Sequence, residues 1–183
     1  MEGVGQSQGA RLEAPLRTRR KQPDVPAPDA PWNEIVPGLW MGGHEFRGRA
    51  GQRETAVVRS EFDLVQTLLR LPGHGPDQGV RHHVWPIPDG RLDGTQLAGV
   101  MRLAQAAAET LEEGCTVLVR CWHGYNRSGL VVAQALVRQG RSAEEAIRLI
   151  RSRRSPWALH NELFVEYLRA GLSTARLLEE LAE

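Results

Sequence analysis

From Trp32 onward the apolar positions alternate between two periods. "FDLVQTLL" (Phe62 to Leu69), "VRHHVWPI" (Val80 to Ile87) and "TVLVR" (Thr116 to Arg120) are short runs bounded by turn residues, and they predict strands. "EIVPGLWMGG" predicts two short strand pieces around a Pro37-Gly38 turn. Leu97, Val100, Met101, Ala104, Ala107, Ala108 and Leu111 instead fall on one helical face. That helix is expected to start at a capping box, Asp93 with Gln96, and to stop at Gly114. "SGLVVAQALVRQG" predicts a helix closed by Gly140, and Ser142 with Glu145 caps another, "AEEAIRLIRSRR". Two further helical stretches run from Leu159 to Arg169 and from Thr174 to the end. Glu45 to Ser60 is weakly helical at best, because Gly48 and Gly51 interrupt it.

This order predicts a single α/β domain over residues 31–183. Its central mixed sheet has about four to five strands with helices on both faces, and a loop rich in polar residues joins a strand to a helix. Residues 1–30 are rich in Gly, Pro and Gln without an apolar period and are expected to be a disordered tail. The tail's basic cluster, Arg17 to Lys21, reads as a solvated segment, with contact to an acidic partner as the alternative.

Composition narrows the function. The 183-residue chain is 41% hydrophobic and 25% charged, ordinary values for a soluble protein. It has no apolar run of about 18 residues to cross a membrane and no signal-peptide core, so a cytoplasmic location is expected. A net charge of +1 gives no general attraction to nucleic acid. The sequence gives no sign of oligomeric state. All but one of the 23 basic residues are arginine. Cys115 and Cys121 flank one strand at an extended separation of roughly 20 Å. That is too far for a disulfide, so both are expected to be free thiols, as in a reducing compartment.

Cys121 stands where a strand ends and a helix is about to begin, in "VLVRCWHGYNRSG". A helix N-terminus presents unpartnered amides and about half a positive charge. A loop curling over it aims further amides inward and makes a nest for a tetrahedral anion. Gly124 permits the curl, and Arg127 adds a two-pronged donor suited to phosphate. Such surroundings favour thiolate over thiol, so Cys121 reads as a nucleophile aimed at a bound phosphate ester.

Cys-x5-Arg-Ser after an apolar strand resembles the signature of the cysteine-based protein tyrosine phosphatases. The short chain and "CWHGYNRSG" are most similar to their dual-specificity branch. The resemblance covers about Glu34 to Leu168. It implies a two-step, metal-free reaction without cofactor: a phosphocysteine forms, and water hydrolyses it. Cys121 is then the nucleophile. Arg127 binds phosphate and steadies the transition state, and Ser128 bonds the thiolate and helps it leave. Loop residues Trp122, His123, Gly124, Tyr125, Asn126 and Arg127 bind the substrate phosphate. The partner is a phosphorylated protein carrying phosphotyrosine, with phosphoserine and phosphothreonine left open.

The family also requires a general acid. "WPIPDGRLDG" offers Asp89 and Asp93. Asp93 is occupied as a helix cap, whereas Asp89 stands on a loop after a strand, 32 positions before Cys121, and is the favoured acid. One departure stands out: the family usually has histidine just before the cysteine, and here it is Arg120. Its guanidinium either holds the loop by hydrogen bonds as that histidine does, or lies near the loop and adds charge, or points away as a substitution without a role. His82 and His83 read as half-buried sheet residues, and no set of ligands has metal spacing. Two alternatives remain. His123 to Arg127 also match the loop of RNA 5′-triphosphatases, though the near-zero net charge argues against nucleic acid as partner. A pseudophosphatase would keep the nest and lack a catalytic group, but Cys121, Arg127 and Asp89 are all present.

Overall fold

In the computed structural model, residues 25–181 are described, so most of the expected tail, with Arg17 to Lys21, lies outside the described residues. β1 (Trp32–Val36) and β2 (Leu39–Gly43) form an antiparallel hairpin whose turn places Gly38 at φ +82°. β3 (Glu45–Arg47) and β4 (Arg53–Thr55) form a second, separate ribbon. β5 (Leu64–Thr67), β6 (Arg81–Val84) and β7 (Val117–Cys121) complete the main sheet in the order β1-β2-β7-β5-β6. Strands β2, β7, β5 and β6 run parallel to their neighbours, and β1 alone among the five is antiparallel. The mixed five-stranded sheet matches the expectation. β7 is its central strand and all five of its residues are buried, which is why it reads as an apolar run broken only by Arg120.

The helices are α1 (Gly94–Glu112), α2 (Arg127–Arg138), α3 (Ala143–Arg153), α4 (Glu162–Ala170) and α5 (Leu172–Glu180). Both expected capping boxes form, at Asp93/Gln96 and at Ser142/Glu145. In one respect the expected architecture is corrected: the helices gather on one face of the sheet. Residues of all five share a core with Leu39, Met41, Leu64, Val117 and Val119. The opposite face is covered by a non-helical segment, whose Val58 and Phe62 pack on Val65 and Leu118 with Trp32 and Trp40 beside them. Helical periodicity shows that a helix has an apolar side. It does not say which face of a sheet that side meets.

A second correction concerns Glu45 to Ser60, where the glycines shape the β3–β4 ribbon instead of interrupting a helix. Gly48 N–H donates to Gln52 O at 2.8 Å, and Gly51 takes φ +81°. Residues 25–31 also pack on the domain. Val25 touches the core, and the carbonyls of Pro26, Pro28, Ala30 and Pro31 accept hydrogen bonds from Tyr125, Arg47, Arg154 and Gly43.

Candidate active site

The loop between β7 and α2 turns its carbonyls outward. Cys121 O and Trp122 O accept from the His44 amide at 3.1 and 2.7 Å. His123 O and Gly124 O accept from the Arg154 guanidinium at 2.8 and 3.2 Å. Tyr125 O accepts from the Leu159 amide at 3.2 Å. The amides of His123, Gly124, Tyr125 and Asn126 donate to no other described residue. With the carbonyls engaged on the outside, those amides remain for the concave side, at the N-terminus of a 12-residue helix. This is the arrangement of an anion nest.

Glycines make the curl possible. Gly124 sits at φ +69°, and a Cβ there would lie 2.2 Å from the Gly42 carbonyl carbon. A Cβ on Gly43 would lie 2.6 Å from Trp122 O. The Gly42-Gly43 pair at the end of β2 is therefore part of the site, because the loop crosses directly over it. Cys121 pairs with Gly43 in the sheet register.

The expected catalytic residues come together. Cys121 is buried, with Sγ 3.4 Å from Oγ of the fully buried Ser128. Arg127 opens α2, and its Nε is buried without a hydrogen-bond partner. Its Nη1 reaches Ile87 O only at 3.5 Å. A buried donor without a partner costs about 1–3 kcal/mol, and an anion in the nest would supply the missing acceptor. Trp122 and His123 are half-buried, and Tyr125 is buried with its hydroxyl donating to Pro26 O at 3.0 Å. Burial pushes the Tyr125 phenol up and the His123 imidazole down from their ordinary values.

Asp89 reaches the same site from the loop after β6. Its Oδ2 accepts from Asn126 Nδ2 at 3.1 Å and its Oδ1 from Asn161 Nδ2 at 2.9 Å. Neighbouring points anchor this loop: Ile87 is buried, and the Leu92 amide donates to the Tyr167 hydroxyl at 3.2 Å. Asp93 stays outside the site as the cap of α1, accepting from the Gln96 amide at 2.7 Å.

Arg120 resolves the open choice in an unexpected way. Adjacent strand residues point to opposite faces, so its side chain lies on the far side of the sheet from Cys121. It is nonetheless buried, and it donates to Thr67 Oγ1 at 3.1 Å, His74 O at 2.8 Å and Gly75 O at 2.6 Å. It fastens the 70–79 loop to the sheet instead of decorating a surface. Burial lowers its pKa to about 10. Beside it, burial and then the Arg120 charge lower His44 to about 4, so His44 is neutral and its Nε2–H donates to Leu69 O at 2.7 Å. His82 and His83 stand in β6 as expected, but on its exposed positions instead of half-buried.

Two features of the site were not legible in sequence. Arg154 is the hub outside the loop. Besides the two loop carbonyls it donates to Ala30 O at 2.9 Å and Asn33 Oδ1 at 2.6 Å. Burial lowers its pKa to about 10, with Tyr125 and Cys121 acting in the opposite direction. In sequence it is one of several arginines at the end of a helix. Asn161 was not singled out by the sequence; its Oδ1 also caps α4 by accepting from the Leu163 amide at 3.1 Å. Among the described residues no group of three or more His, Cys, Asp or Glu is placed to hold a metal ion, and no helix is long and apolar enough to cross a membrane.

No protein-family model matches the sequence. Solved structures do match. Human DUSP28 superimposes with a TM-score of 0.60 at 21% identity, over 81% of this chain and 99% of that one. PTPMT1 matches with a TM-score of 0.59 at 18% identity, over 81% and 99%. A mouse putative dual specificity phosphatase, crystallised with zinc tungstate, matches with a TM-score of 0.57 at 22% identity, over 86% and 96%. The fold is thus that of the cysteine-based tyrosine phosphatases, in its dual-specificity form.

Proposed function

We propose that this chain is a phosphoprotein phosphatase acting through a phosphocysteine at Cys121. One observation carries the reading most directly. The Cys121 thiol lies at the base of a loop whose carbonyls all face outward, beside an arginine whose Nε has no partner. The structural neighbours, themselves dual-specificity and tyrosine phosphatases, support the same class.

The chemistry follows from these positions. The nest amides and Arg127 hold the three non-bridging oxygens of a phosphate monoester and place phosphorus over Sγ. The Cys121 thiolate attacks, the bond from phosphorus to the substrate oxygen breaks, and Asp89 gives that oxygen a proton. Water then attacks the phosphocysteine, and the Asp89 carboxylate takes up the water's proton. The Ser128 hydroxyl, 3.4 Å from Sγ, donates to the departing thiolate and eases its release. Inorganic phosphate leaves, and the thiolate and the acid are restored. The chain supplies both nucleophile and acid, so the cycle has no step that requires a cofactor.

The test compares turnover of a phosphotyrosine peptide, a phosphothreonine peptide and a 5′-triphosphate RNA, each with chelator present. The expected result is peptide hydrolysis by the unaltered protein and none by Cys121→Ser, since a serine hydroxyl is not ionised by such a loop. Substantial turnover by purified Cys121→Ser would overturn the assignment. Faster turnover of the RNA than of either peptide would transfer the reading to an RNA 5′-triphosphatase.

A further inference from the structure

We propose that His160 is a positioning residue for the acid Asp89, acting through the side-chain amide of Asn126; the proposal rests on the phosphatase reading above. The argument begins with a tautomer. His160 Nδ1 lies 2.9 Å from Trp157 O. A carbonyl oxygen only accepts, so Nδ1 carries the proton. In the neutral ring that leaves Nε2 with a lone pair, and Nε2 lies 3.0 Å from Asn126 Nδ2. Asn126 therefore donates one amide hydrogen to His160 and its other to Asp89 Oδ2 at 3.1 Å.

The remaining groups in the cluster are also satisfied. Asn126 Oδ1 accepts from the Asn161 backbone amide at 3.1 Å, which fixes which way the Asn126 amide faces. Asn161 Nδ2 holds the other oxygen of Asp89 at 2.9 Å, and Asn161 Oδ1 caps α4 through the Leu163 amide at 3.1 Å. Two successive residues before α4 thus control both oxygens of Asp89, one directly and one through the loop that carries Cys121.

The two bonds differ in what they do. With the Asn161 bond alone the carboxyl is free to pivot about Oδ1. The bond from Asn126 to Oδ2 stops that pivot and sets the distance between the acid and the nucleophile's loop. Asn126 is buried, so its amide hydrogen, once the His160 acceptor is removed, would seek another acceptor and draw the amide away from this orientation. Catalytic geometry is sensitive on this scale, with a displacement of about 1 Å costing on the order of 10²-fold.

The test uses His160→Ala, His160→Gln and His160→Lys in the full chain. Glutamine offers an oxygen that accepts from Asn126, whereas lysine offers only donors. Two substrates are compared: phenyl phosphate, whose leaving oxygen needs a proton, and 4-nitrophenyl phosphate, which needs one far less. Expected for His160→Ala is a loss in kcat at least about 10-fold larger for phenyl phosphate, within the 10²–10⁴ that acid catalysis supplies. Glutamine should restore most of it and lysine should not. In an Asp89→Asn background His160→Ala should have no further effect. Iodoacetate alkylation of Cys121 should proceed at the unaltered rate. Equal losses on both substrates, equal behaviour of Gln and Lys, or additivity with Asp89→Asn would overturn the proposal. A readout without turnover stands beside these: the Asn126 side-chain amide resonances should move in His160→Ala and return in His160→Gln. Resonances that stay in place overturn the proposal whatever the rates show. Turnover by Cys121→Ser, in contrast, would overturn the phosphatase reading itself.

Discussion

Replacing Arg120 by methionine removes a buried cation and keeps most of its length. Three hydrogen bonds are lost, to Thr67 Oγ1, His74 O and Gly75 O. Bonds from a charged donor contribute about 1.5–3 kcal/mol each, roughly 4–9 in all. Against this, burial holds the Arg120 pKa at about 10, below its usual 12.5. At about 1.4 kcal/mol per unit, the charge costs on the order of 3 kcal/mol to bury, and that cost vanishes in the variant. The balance is a destabilisation of about 3 kcal/mol. For a domain of this size that corresponds to a Tm lower by about 6–12 °C. Arg120→His should fall between the two, because imidazole reaches Thr67 without reaching both carbonyls. The informative measurement pairs the melt with the pH dependence of iodoacetate inactivation at Cys121. Arg120 lies across the sheet from the thiol, so the acidic limb of inactivation should stay in place while the Tm falls. A limb displaced to higher pH with the Tm unchanged would refute the reasoning, since it would mean that the guanidinium acts on the loop and not on the 70–79 segment.

Asp89→Asn is expected to slow phosphopeptide hydrolysis by about 10²–10⁴. Asp93→Asn should leave the rate near normal, because asparagine caps helices about as well as aspartate; steady-state kinetics on both variants would expose reversed roles. Gly124→Ala should abolish binding of inorganic phosphate, measured by calorimetry. It puts a side chain at φ +69° and a Cβ 2.2 Å from the Gly42 carbonyl carbon, so the loop must move; unaltered binding would contradict the close crossing. His44, held at about 4 by burial and then by Arg120, sets an acid limit on stability. The folded state keeps it neutral, whereas the unfolded chain binds a proton below about 6.5. Stability should therefore fall as pH drops from about 6.5 to about 4 and lose nothing further from this group below that, by up to roughly 3 kcal/mol in total. Urea midpoints across that range should flatten in His44→Asn.

The sequence by itself determined the elements and the chemistry carried by neighbours in the chain. Strand, loop and helix around Cys121 follow one another directly, so the loop and the place of Arg127 in it were legible from spacing and from the preference of helix ends for anions, whereas Ser128 was singled out only through the family resemblance. The capping boxes at Asp93 and Ser142 were legible for the same reason, since each is closed within four residues. Asp89 was favoured over Asp93 because a residue already used as a cap is not free for catalysis and because its spacing to Cys121 resembles the family's; the structure places Asp93 at the cap and Asp89 beside Asn126 and Asn161, and the acid role itself stays part of the proposal. Only the tertiary structure decided the contacts between distant segments. Arg154 shapes the loop from 30 positions away, and the Gly42-Gly43 pair admits it from another strand. His160 and Asn161 meet Asp89 only because α4 begins beside the nest. The side on which Arg120 lies, the face on which the helices gather and the ribbon between Glu45 and Thr55 were settled by packing. A local pattern states that a residue wants burial or a partner, and the partner is supplied by whatever the folded chain brings within reach.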